Sequence, residues 1–82
     1  MEEFTSLNDL FQSLLPVLKT KINEMKLRNI DYISEQDIWN YQTTKWSKSI
    51  NLTFSDMVSD ILNTSDLNYV NYKKEIWKEN KN

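Results

Sequence analysis

The chain has 82 residues, ten of them aromatic, with 39% hydrophobic and 27% charged residues, ten bases against twelve acids and a pI near 5.0. That is enough for one small domain, too charged for a membrane chain and too balanced in sign for a disordered tail. The absence of Cys, His and Gly excludes thiolate chemistry, Cys-bearing zinc sites, imidazole bases or ligands, GxGxxG turns and P-loops.

The opening Met1-Glu2-Glu3-Phe4 is acidic and lacks the apolar stretch of a signal peptide. The longest apolar run, Leu14-Leu15-Pro16-Val17-Leu18, is far short of the roughly 20 residues of a membrane helix. No membrane insertion and a cytoplasmic location are therefore expected, and the sequons at Asn51 and Asn63 read as chance matches. One domain over 1–82 is expected, with ends 1–5 and 79–82 frayed.

Leu7, Leu10, Phe11, Leu14, Leu18, Ile22 and Met25 recur at steps of three and four, the period of a helix. Pro16 interrupts the row, removing a backbone donor and crowding the preceding turn. The expectation is a short helix over 6–14 and a second from Pro16 to about Arg28, kinked or separately capped. Asn29 then suits a left-handed cap.

Ser34 and Thr53 each precede an acid three residues on, Asp37 and Asp56, and each is framed by an apolar pair, Ile33 with Ile38 and Leu52 with Met57. This is the signature of a capping box with a hydrophobic staple, and it starts helices over about 35–46 and 54–63. Ser65-Asp66 opens a last helix carrying Leu67, Val70 and Ile76 with Tyr69, Tyr72 and Trp77. No segment alternates like a strand, so the fold class is all-α, a compact bundle of four to five short helices. Charge alternates in sign along these segments, with acids gathered near helix starts and bases near helix ends, as the helix dipole favours.

Chemistry-bearing constellations are few. Asp56 and Asp60 share a helix face, but two carboxylates alone make a poor Mg²⁺ site, and neither a metal nor a cofactor is expected. Without His, no Ser or Thr has a recognisable base, so no catalytic residues are assigned. Trp39, Lys45, Trp46 and Lys48 interleave rings and ammonium groups, a pattern that in exposed form stacks bases and holds phosphates of a single strand; buried, the same rings are core anchors. Tyr69, Tyr72 and Trp77 crowd a lysine-rich terminal helix and are either packing residues or hot spots for a protein partner or a second copy.

Ile38-Trp39-Asn40-Tyr41, Lys45-Trp46-Ser47-Lys48, Val58-Ser59-Asp60-Ile61-Leu62 and Asn68-Tyr69-Val70-Asn71-Tyr72 follow one another in this order. The succession, from about Leu18 to Ile76, resembles the ComN-like post-transcriptional regulator family of low-GC Gram-positive bacteria. That family's pattern has a Leu-Trp pair opening a helix, Lys-Trp-Lys-Lys, Val-x-Asp-Ile-Leu and Asn-Asp-Tyr-Met-Asn-Tyr. Here one Lys of the second motif and the acid of the last are missing, and Asn29 stands where Gly is expected. The resemblance implies a cytoplasmic helical protein acting on mRNA after transcription, with competence gene expression as its context. The leading expectation is thus a non-enzymatic regulator that binds mRNA, or a protein attached to mRNA. The rival is an interaction adaptor that never touches nucleic acid, which the net acidic charge favours. A helix-turn-helix DNA reader is a weaker third, because no helix pair ends in a Lys/Arg-rich recognition helix.

Overall fold

The row of apolar side chains near the N-terminus winds a single 21-residue helix, α1 (Leu7–Leu27), straight through Pro16. The computed structural model describes residues 7–79, so the ends expected to fray lie outside it, apart from residue 79. The expectation for this stretch is a helix over 6–14 and a second from Pro16, kinked or separately capped; the structure joins them in one helix. Proline inside a helix costs about 3 kcal/mol and leaves the carbonyl four residues back without its donor. Against this, Leu10, Leu14, Leu18, Ile22 and Met25 form one buried seam on both sides of Pro16, which is itself exposed. Each such side chain gains roughly 1.5–3 kcal/mol by burial, so an unbroken seam outweighs the proline penalty. The helix ends as the sequence suggests: Asn29 is left-handed (φ 67°), its N–H bonds the Lys26 carbonyl and the Ile30 N–H bonds the Met25 carbonyl, both at 2.9 Å. This is a Schellman closure with Asn in the place usually taken by Gly.

Both capping boxes are present. Ser34 opens α2 (Glu35–Trp46), its hydroxyl accepting from the Asp37 N–H at 3.2 Å while the Asp37 carboxylate accepts from the Ser34 N–H at 2.8 Å. Thr53 opens α3 (Phe54–Asn63) through the same reciprocal pair with Asp56, each bond 3.1 Å. The connection before it turns at Asn51, a second left-handed residue (φ 62°) that the sequence reading missed. After two residues, α4 (Asp66–Glu79) completes a four-helix, strandless arrangement among the described residues.

The seam of α1 meets Ile38, Trp39 and Trp46 of α2, Ile61 of α3 and Tyr69 of α4 in one buried cluster. Edge-on rings run through it: Phe11 on Trp39 at 5.2 Å, Trp39 on Trp46 at 6.1 Å, and Tyr41 on both Tyr69 (5.2 Å) and Tyr72 (5.5 Å). T-shaped contacts of this kind each add about 0.5–1.5 kcal/mol beyond area burial. On α4 the aliphatic residues Leu67, Val70 and Ile76 do not all turn inward. Val70 is buried and Ile76 half-buried, but Leu67 is 63% exposed, while Tyr69 is 1% exposed.

Candidate functional site

The last turn of α3 carries no basic residue, and its carbonyls have no further turn to bond. Side chains from the three other helices close it. The Asp60 carbonyl accepts from the Thr64 N–H (3.1 Å), the Thr64 hydroxyl (2.6 Å) and the Gln42 amide (3.2 Å). The Tyr69 hydroxyl donates to the Ile61 carbonyl at 3.0 Å, and the Lys21 ammonium donates to the Leu62 carbonyl at 3.3 Å. Lys21, only 4% exposed, also meets the Asp66 carboxylate at 3.2 Å. Its charge sits at the negative end of the α3 dipole and beside the first residue of α4. Arg28 grips the same carboxylate with two nitrogens. The polar interior is thereby a junction where side chains of the other three helices meet the end of α3 and the start of α4.

Gln42 is the centre of that junction and was missed in the sequence. It is fully buried; its Nε2 faces the Thr64 hydroxyl and the Tyr69 hydroxyl, each at 2.9 Å, while its Oε1 has no hydrogen-bond partner. The only hint lay in its spacing, three residues after Trp39 and four before Trp46, which puts it on the same inward face. Desolvation pushes the Tyr69 phenol above its ordinary value, although the hydrogen bonds to Gln42 and Thr64 pull the other way.

Two acids at helix starts hold the outer ties. Desolvation pushes the Asp37 carboxyl up, but hydrogen bonds from Lys73 (2.8 Å) and from the Ser34 backbone and hydroxyl outweigh it and leave it below the usual carboxylate range. The Arg28 guanidinium, joined by Lys21, holds Asp66 low against its own desolvation. A carboxylate with a depressed folded pKa contributes stability that is present above the unfolded value, near about 4, and lost as pH falls through the folded one. Thermal melts are expected to show Tm falling progressively below about pH 4, with Asp66→Asn lowering Tm at neutral pH and flattening that acid limb. An acid limb equally steep in Asp66→Asn would show that Asp66 does not contribute to it.

The rings expected to stack bases are interior. Trp39 is 7% and Trp46 8% exposed, and the Trp46 indole N–H donates to the Asp60 carboxylate at 2.8 Å. This corrects the expectation of open rings: in a domain this small, two indoles seven residues apart on one helix face are the largest side chains available to fill the core of α2. Lys45 and Lys48 remain exposed and unpaired among the described residues. Asp60, offered as half of a carboxylate pair with Asp56, is instead the acceptor for Trp46, and no cluster of three metal-ligating side chains occurs among the described residues.

The C-terminal aromatics separate. Tyr69 is 1% exposed and belongs to the core, which corrects its assignment to a partner surface; Tyr72 is half-buried against Tyr41. Trp77 stands 46% exposed, 6.0 Å from Tyr32 in the α1–α2 connection, with the Lys73 ammonium 5.9 Å from its ring centre. Tyr32 is itself 42% exposed and went unremarked in the sequence, since nothing local ties a loop tyrosine to a residue 45 positions on.

No helix among the described residues is long and apolar enough to cross a membrane. No solved structure matches the chain. Among curated proteins, the chain is 33% identical over 58 residues to the post-transcriptional regulator ComN of Bacillus subtilis (strain 168), an alignment covering 70% of this chain and 59% of that protein. A family model described as "Post-transcriptional regulator" matches residues 7–81, which takes in all four helices and the junction that joins them, and the chain belongs to that post-transcriptional regulator family.

Proposed function

We propose that this protein is a non-enzymatic regulator that acts on mRNA after transcription, as a binding module and through its surface. The observation that carries this reading is the junction of Lys21, Gln42, Thr64 and Tyr69. Buried polar groups are where a small domain would keep reactive chemistry, and here they bond one another and the end of α3. Family membership supplies the level of action, and the resemblance in the sequence supplies competence-type gene expression as its context.

Crosslinking in cells followed by sequencing of recovered RNA tests the reading. Formaldehyde, which also captures RNA held through a second protein, is expected to recover a defined set of mRNAs above an unrelated control. Recovery no better than the control would sink it. Two routes to mRNA differ in a simple binding titration. If Lys45 and Lys48 contact phosphates directly, affinity of the purified protein for single-stranded RNA falls with salt, and Lys45→Ala/Lys48→Ala reduces the log–log slope by about 0.7 per lost contact. A slope unchanged in the double variant removes these lysines from the interface. An adaptor bound only to protein would show no RNA affinity even at low salt, a reading that the net charge of −2 supports.

A further inference from the structure

We infer that the outer face of the C-terminal half of α4, with Tyr32 beside it, is a stacking site for a base of single-stranded RNA; this rests on the reading that the protein acts on mRNA. Trp77 and Tyr32 are the two large rings that the fold leaves about half open while holding them together, at 6.0 Å and 35° between planes. Such a pair presents π-surface that any base matches, without hydrogen-bond readout.

The charge around the pair is what selects RNA over an apolar protein segment. Residues three and four apart share a helix face, so Lys73, Lys74, Trp77 and Lys78 form one stripe, while Glu75 stands on the far side of the helix. Lys73 is committed to Asp37 and lies over the indole, which fixes the ring's position. Lys74 and Lys78 are exposed and in no ion pair among the described residues. A ring with two available ammonium groups within one turn is the arrangement that grips a stacked base and the phosphates on either side of it. A protein hot spot would instead surround the ring with packed, water-excluding side chains, and this stripe carries lysines. The basic strip ends at the α1–α2 turn, where Asp31 precedes Tyr32.

The experiment uses the full chain and labelled single-stranded oligouridylate and oligoadenylate at low salt, read by anisotropy and by tryptophan emission. Because Trp39 and Trp46 are buried, quenching on titration reports Trp77. Saturable quenching is expected, with Trp77→Leu weakening binding roughly 5- to 150-fold, the usual loss for one stacked base, and Trp77→Tyr restoring most of it. Lys74→Ala/Lys78→Ala is expected to lower the salt slope by about 1.4, at about 0.7 per contact. Circular dichroism melts confirm that each variant is folded. Affinity unaffected by Trp77→Leu, or affinity lost in the Lys45/Lys48 variant alone, overturns the site. So does an absence of RNA binding by the purified protein. If formaldehyde still recovers mRNA in that last case, action on mRNA stands and the stacking site fails; if Trp77→Leu also abolishes that recovery, the exposed ring contacts a protein.

Discussion

Tyr69→Ala is expected to bring the domain to the edge of unfolding at room temperature. A chain of 82 residues has a total stability of only about 4–12 kcal/mol at the usual 0.05–0.15 kcal/mol per residue. Truncating a large buried ring to alanine removes about 3–5 kcal/mol of it. Tyr69 is 1% exposed, packs edge-on against Tyr41, and is the side chain by which α4 enters the main buried cluster. Its hydroxyl contributes separately, donating to the Ile61 carbonyl, one of the groups α3 cannot satisfy itself. Tyr69→Phe keeps the ring and is expected to cost about 1–3 kcal/mol, the penalty of a buried acceptor left without its donor. Urea titrations of the three proteins separate the two contributions through their midpoints. A loss below about 1 kcal/mol in Tyr69→Ala would fall short of any ring truncation in a packed core and would return this tyrosine to the surface. The raised phenol pKa adds an alkaline signature. A tyrosine held neutral by burial contributes stability that is present below its unfolded value, near about 10, and lost as pH rises through the folded one, and Tyr69→Phe removes that limb.

What was legible in the sequence was whatever is encoded within a few residues. Ser34 with Asp37 and Thr53 with Asp56 mark helix starts because both partners of each box lie three residues apart, and the helices begin where those boxes stand. Asn29 marks an end for a similarly local reason, the need for a left-handed residue. Pro16 misled because its cost is local while the gain that outweighs it, one continuous seam from Leu10 to Met25, is set by packing against other helices. The same limit governs the side chains. The aromatic and basic residues of α2 were visible as a pattern, but which face of α2 is inward depends on α1 and α3, and the indoles went inside. Trp77 is visible only together with Tyr69 and Tyr72, as rings crowding a lysine-rich helix, whereas its pairing with Tyr32 and the closure of α3 by Lys21, Gln42 and Tyr69 join residues far apart in the chain. No window of sequence contains such pairs.

Gln42→Glu is expected to cost about 3–5 kcal/mol at neutral pH, the size of the penalty for an uncompensated buried charge, and to recover much of that in acid. The amide nitrogen it replaces faces three oxygens, those of Thr64, Tyr69 and the Asp60 main chain. Both hydroxyls already donate, Thr64 to the Asp60 carbonyl and Tyr69 to the Ile61 carbonyl. A carboxylate there either repels all three oxygens or draws the hydroxyl protons away from the end of α3. Protonation restores one donor and removes the charge, so the folded pKa of the introduced carboxyl rises and the variant gains stability as pH falls through it. Asp37 and Asp66 weaken parent and variant alike as pH falls, so the gap between the two profiles narrows through the introduced carboxyl alone. Gln42→Met gives the contrast. It deletes the donor but also the unpartnered Oε1, and every oxygen that loses the amide keeps another bond of its own. The two N–H groups, shared among three oxygens, forfeit about 1 kcal/mol each, while a buried orphan costing about 1–3 kcal/mol disappears, so its stability should stay within about 1.5 kcal/mol of the parent. Chemical denaturation from about pH 4 to 8, the range over which a buried carboxyl is expected to titrate, decides the matter: a Gln42→Glu penalty independent of pH, or a Gln42→Met penalty as large, would mean that Gln42 acts by shape alone and that the closure of α3 does not depend on what its amide donates.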